Sequence, residues 1–150
     1  MPAEWSGPAL PALGKADREW LESALAGLGP HLGFRVARMS VEVSDDARMS
    51  ELHVRHLGIA GTTDVLTFAC NRPGEPVDAD VAVCLDEARR RGSRTRHGAR
   101  GELLLYLLHG LLHAAGHDDR DDGGFRTMHA EEDRILEAAG LGRIFEEGEP

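Results

Sequence analysis

The stretch from Ala99 to Ala115 constrains this chain more than any other. It reads as a strongly apolar helix and contains the run LLLYLLHGLLHAA. A helix that is apolar nearly all round belongs in the interior, so the rest of the chain must wrap around it. Two histidines and a glycine interrupt the run, and it is too short and too polar to cross a bilayer. Gly116 stands at the usual position just past a helix end. The two imidazoles inside this helix must find partners, because an unpaired polar group in the interior is costly.

The elements on either side give the wrapping. Lys15 to Leu28 has Trp20, Leu21, Ala24, Leu25 and Leu28 at helical spacing, and Gly29-Pro30 stops it. Phe34 to Val43 alternates apolar and polar residues and predicts a strand. Ser44 reads as the cap of a helix that has Asp45 and Asp46 in its first turn and runs through Met49, Leu52 and His56 to Gly58. Asp64 to Cys70 and Ala79 to Leu85 read as two more strands, rich in β-branched and aromatic residues. Helices follow over Asp86 to Arg94, Ala99 to Ala115 and Phe125 to Ala139. Strands early and helices late predict an α+β fold, a small mixed β-sheet covered by helices. Residues 1–14, with three prolines and two glycines, read as a loose N-terminal arm in which Trp5 is exposed. Residues 15–150 form a single domain.

Composition narrows the class. The chain has 150 residues, enough for one core without staples. Its two cysteines exclude a disulfide scaffold, and Cys70 and Cys84 read as buried strand residues. No signal-like segment opens the sequence, so a reducing, cytoplasmic setting is expected. The net charge of −9 makes the chain a poor general trap for nucleic acid. The charge is uneven, however. RRRGSRTRHGAR at 89–100 holds six arginines and no acid, whereas the tail from Glu131 is acid-rich. A solvated helix face is the plain account of those arginines.

The chemistry concentrates in LLHGLLHAAGHDDRDD, residues 107–122. His109 and His113 are i and i+4 on a helix, so both rings project from one face and can hold one divalent metal. Gly116 lets the chain turn back, and a third ligand can then approach from the loop. Asp119, ten residues after His109, has the spacing of such a ligand; His117 is the alternative, though the helix break at Gly116 counts against it. Asp118 and Asp121 are placed to orient a histidine ring. Gly110 stands where zinc peptidases of the H-E-x-x-H type carry a glutamate base, which disfavours that class.

HGLLHAAGHDD, taken with TTDVLTF at 62–68, resembles the YbeY family of bacterial rRNA maturation factors. The likeness rests on His109, Gly110, Leu112, His113, Gly116 and Asp118, and on Thr63, Asp64, Val65, Leu66 and Phe68 in the first motif. Asp119 aligns where the family usually has a third zinc-binding histidine. His117 replaces an aromatic residue. The family arginine before T-D-V-L falls at Leu57, and Arg55 is the nearest substitute for contact with substrate. The family's first strand has no clear counterpart in residues 1–14.

The resemblance implies a zinc-dependent, single-strand-specific endoribonuclease with one Zn2+ per chain, held by His109, His113 and Asp119. It would act in 16S rRNA 3′ end processing and ribosome quality control. Implied partners are single-stranded RNA and rRNA, small ribosomal subunit proteins and an Era-type GTPase, with no membrane. The alternative is a non-catalytic ribosome assembly factor whose zinc is structural. A fourth protein ligand would favour it, and an open metal position favours the enzyme.

Overall fold

The computed structural model describes residues 2–142 and Phe145. The acidic end of the tail, with Glu146, Glu147 and Glu149, lies outside them. In chain order the elements are β1 (Glu4–Ser6), α1 (Leu10–Leu13), α2 (Lys15–Leu28), a 3-10 turn (Gly29–His31), β2 (Val36–Ser44), α3 (Asp46–Leu57), β3 (Val65–Ala69), β4 (Val77–Cys84), α4 (Leu85–Gly92), α5 (Gly98–Ala114) and α6 (Asp122–Ala138). The sheet order is β1-β2-β4-β3. β1 and β4 each run parallel to β2, while β3 is antiparallel to β4 and forms an edge. This is the expected α+β architecture with a small mixed sheet.

Alternation along the strands divides the molecule into two layers of packing. Met39, Val41 and Val43 of β2 and Ala79, Val81 and Val83 of β4 face the main core with α2 and α5. Their neighbours Ala82 and Cys84 turn to the other face, where Met49 and Leu52 of α3 and Leu66 of β3 cover them. α5 is central, as its composition predicts. Its leucines 103, 104, 107, 108, 111 and 112 are essentially without solvent contact. No helix among the described residues is long and apolar enough to cross a membrane.

The N-terminal segment corrects the expectation of a loose arm. Glu4, Trp5 and Ser6 pair with Ser40, Val41 and Glu42, and Ala9 and Leu13 are buried in the main core. Trp5 packs against that core instead of standing exposed. A three-residue strand shows no periodicity of its own, and its pairing partner is far along the chain. Three further details differ. Asp45, not Ser44, caps α3 by accepting from Arg48 N–H, and Ser44 ends β2 with its hydroxyl on Glu42. Cys70 is exposed just beyond β3, because the strand ends one residue earlier than expected; Cys84 is buried. α6 begins three residues before Phe125, capped by Asp121, whose carboxylate accepts from Gly124 N–H at 2.6 Å.

Candidate metal centre

α5 carries His109 and His113 one turn apart on the stretch of the helix that passes beside β3. That approach depends on Gly110, which is buried against the sheet. A β-carbon there would lie 2.8 Å from Thr67 Oγ1 and 3.2 Å from Val81 Cγ1. The position of the peptidase glutamate therefore points into packed sheet, away from the histidine face. α5 ends in a turn at Gly116, whose φ of 111° favours glycine. The chain then doubles back and brings Asp119 onto the histidines.

The three side chains converge. His109 Nε2 is 3.1 Å from His113 Nε2 and 3.3 Å from Asp119 Oδ2, and His113 Nε2 is 3.5 Å from Asp119 Oδ1. A tetrahedral ion with bonds of about 2.0–2.1 Å sets its donor atoms about 3.3 Å apart. One donor atom from each of the three residues lies within 4.8 Å of the others, and the two carboxylate oxygens each approach one imidazole, so small side-chain adjustments would seat such an ion. Two imidazole nitrogens and a carboxylate oxygen are also a suitable donor set for zinc. His117 is not part of this cluster, and among the described residues the group of donors that could hold a metal is His109, His113 and Asp119.

Glu132 of α6 completes the centre. It is buried, and its Oε1 accepts from His109 Nδ1–H at 2.9 Å. A carboxylate only accepts, so the proton sits on Nδ1 and the lone pair of Nε2 is turned toward His113 and Asp119. The Glu132 hydrogen bond raises the His109 pKa above the ordinary imidazole value; burial opposes this, and the charges of Glu132, Asp119 and Asp64 add to it. Sequence reasoning assigns this orienting role to Asp118 and Asp121, and the structure corrects both. Asp118 is held by Arg120, and Asp121 caps α6. The signal for Glu132 was an acid on the apolar stripe of α6, between Met128 and Ile135, where only a partnered carboxylate can sit.

A cleft of about 560 Å³ opens beside His109 and His113 along the edge of β3. A second, of about 460 Å³, lies on the α6 side of His109 and Asp119. Asp64 lines both and is held by Arg91, whose Nη1 donates at 2.8 Å. Arg55 is exposed on α3, 3.6 Å from Glu51, and does not itself line the cleft; its neighbours His56 and Leu57 do. Of the basic stretch, Arg90 is tied to Asp46 and Glu87, Arg91 to Asp64 and Glu87, and Arg89 to the Ala12 carbonyl. These arginines are occupied by partners within the fold.

Residues 12–140 match the family described as Endoribonuclease YbeY. Endoribonuclease YbeY of Micrococcus luteus is 33% identical over 148 residues, spanning 90% of this chain and 94% of that one. The Thermobifida fusca protein of the same name is 35% identical over 123 residues, covering 76% of this chain and 78% of its own. A Thermotoga maritima protein solved in solution superposes with a TM-score of 0.63 at 26% identity, over 95% of this chain and 92% of that one. The match to the family model over most of the chain, together with these identities, places the chain in the YbeY endoribonuclease family.

Proposed function

We propose that the protein is a zinc-dependent endoribonuclease that cuts single-stranded RNA during rRNA maturation, including 16S rRNA 3′ end processing and ribosome quality control. The observation that carries this reading is the convergence of His109, His113 and Asp119, with donor atoms within 4.8 Å of one another and the two histidines facing a cleft. No fourth side-chain donor joins it among the described residues, which favours a catalytic over a purely structural metal. The chemistry that a bound zinc would supply is Lewis acidity toward a phosphoryl oxygen and an acidified water.

The chain's own residues do the rest. Glu132 fixes the tautomer and direction of the His109 ring. Gly110 lets α5 lie close enough to β3 for substrate in the cleft to reach the histidines. Arg55, exposed on α3 next to the cleft-lining His56 and 3.6 Å from Glu51, contacts the phosphates of the strand. A cleft of about 560 Å³ has room for a nucleotide or two beside the histidines. The protein acts in the cytoplasm, with rRNA as substrate and small ribosomal subunit proteins and an Era-type GTPase as partners.

The test is metal content by elemental analysis of the wild type beside His113→Ala, Asp119→Ala and His117→Ala, with cleavage of single-stranded and duplex RNA followed in the same preparations. About one zinc per chain is expected, lost together with cleavage in Asp119→Ala and kept in His117→Ala. Loss of metal in His117→Ala and not in Asp119→Ala overturns the ligand assignment. Bound zinc with no RNA cleavage overturns the nuclease reading.

A further inference from the structure

The cleft beside His109 and His113 has unlike walls. One is the histidine face of α5. The opposite wall is the C-terminal end of α3, where His56 and Leu57 face the cleft. The floor between them is β3. Asp64 C=O accepts from Cys84 N–H and Cys70 N–H donates to Asp78 C=O, so the even-numbered residues of β3 bond to β4. By the alternation of an antiparallel ladder, the backbone groups of Thr67 and Ala69 point away from β4, along the free edge.

What is missing from this wall matters as much. The eleven lining residues include no lysine and no arginine, and the chain carries a net charge of −9. Phosphate attraction is therefore a weak source of grip inside the cleft. The wall offers rings and apolar surface instead. The His56 ring packs against Phe68 in a tilted contact, with centroids 4.7 Å apart at 53°. The same two residues also line a cleft of about 430 Å³ on the outer sheet face, beside Glu42 and Asp80, so they form the ridge between the two. Among the described residues four large hydrophobics are strongly exposed, and three of them, Val54, Leu57 and Ile59, surround this end of α3. An apolar patch beside an aromatic ridge is a surface for a flat, partly apolar ligand.

We propose that the His56–Phe68 pair is a nucleobase-stacking subsite, an inference that rests on RNA being the substrate. A base of the single strand lies on the exposed His56 ring, which Phe68 braces. The free backbone groups of Thr67 and Ala69 meet polar atoms of the same nucleotide. Every base has a π-face, so such a subsite accepts any sequence, and it rejects a duplex because paired bases are not available to stack. Binding at this wall then depends on bases more than on phosphates.

The experiment is binding of short 2′-O-methyl RNA strands, which resist cleavage, and of matched abasic strands, to wild type, His56→Ala and Phe68→Leu. His56 is exposed, so its alanine variant keeps the fold; leucine at 68 keeps the packing of Phe68 on the α3 core. Wild type should bind the base-bearing strand at least tenfold more tightly than the abasic one. His56→Ala should weaken base-bearing binding about tenfold and Phe68→Leu several-fold, with abasic binding unchanged. The slope of log affinity against log salt should be shallow, about −0.7 to −1.4, as for one or two phosphate contacts. Equal binding of both strands, a steep slope, no effect of His56→Ala, or no measurable binding overturns the subsite. Parallel cleavage assays on unmodified RNA separate the two claims. Base-dependent binding without cleavage sinks the nuclease and leaves the subsite. Cleavage with base-independent binding does the reverse.

Discussion

At the start of α5, His97 Nε2 lies 2.7 Å from Glu102, both side chains about 10% exposed, with the ring tilted against Phe145 at a centroid distance of 4.8 Å. Near its other end, His109 Nδ1 lies 2.9 Å from Glu132, which is equally buried, but the His109 side chain is 26% exposed. A histidine–carboxylate pair thus occurs twice along α5, once with a carboxylate of α5 itself and once with one from α6. At the first, the second ring nitrogen, His97 Nδ1, is buried and without a partner. At the second, the remaining nitrogen meets His113 and Asp119 at a cleft. A histidine–carboxylate pair is therefore not by itself a functional signature. What turns one into a candidate metal centre is a further donor on the same helix face, a loop that returns, and an opening to solvent.

The comparison breaks most visibly if the metal-facing nitrogens are removed. His113→Ala should take zinc from about one per chain to near none and lower RNA cleavage by more than about a hundredfold. His97→Ala should retain zinc and instead lower the melting temperature, since it unpairs buried Glu102. Elemental analysis, a cleavage assay and a thermal melt of both variants decide it. Zinc lost from His97→Ala and kept in His113→Ala would reverse the roles given to the two ends of α5.

The carboxylates should separate next. Glu132→Gln leaves the ligands in place but loosens their orientation, so zinc affinity should fall about 10–100-fold, read by chelator competition. Glu102→Gln should leave zinc affinity unchanged and cost roughly 1–3 kcal/mol of stability. If both variants lose zinc equally, the distinction between the two pairs fails.

Two glycines sharpen the same contrast. A β-carbon at Gly110 falls against Thr67 Oγ1 and Val81 Cγ1, across the gap between α5 and the sheet, whereas one at Gly101 falls 2.6 Å from His97 Cβ. Each alanine should destabilise by about 1–3 kcal/mol as overpacking. Gly110→Ala should also lower cleavage several-fold, because it shifts the helix that carries the ligands relative to β3. Gly101→Ala should leave cleavage by the folded protein intact. Melting curves and initial rates measured on the same samples test this.

The sequence made some of this centre visible and hid the rest for reasons of distance. α5 was legible because few surfaces tolerate a run such as LLLYLLHGLLHAA. His109 and His113 were legible from their i, i+4 spacing, and Asp119 from its offset beyond the turn at Gly116. Glu132 was not, since it lies 23 residues from His109 and nothing local points across from α6 to α5. The start of α6 was hidden because Asp-Asp-Gly-Gly reads as loop. Gly124 is needed there, as a β-carbon would lie 2.0 Å from the Asp118 carbonyl oxygen of the returning loop. β1 was hidden because Glu4–Ser6 is held by pairing with β2, more than thirty residues on, and by no pattern of its own.

The smallest effect is one of pH, and its sign distinguishes the free centre from the loaded one. Glu132 holds the His109 pKa above its ordinary value, so folding favours the protonated ring. In metal-free protein the stabilisation from this pair is fully present below the unfolded value of about 6.5. It fades as pH rises through the raised folded value. Zinc requires the neutral ring, so metal-derived stability has the opposite slope and weakens as pH falls. Melts from pH 5 to 9 with chelator should therefore show a shift of a few degrees toward higher stability at the acid end, relative to Glu132→Gln. With zinc the wild-type advantage should instead grow toward the alkaline end. At His97 the second nitrogen is sealed from the ligand cluster, so Glu102→Gln should leave the zinc-dependent part of the profile where it is. A wild-type and Glu132→Gln pair whose chelated profiles run parallel would show that the proton on His109 is not held by Glu132.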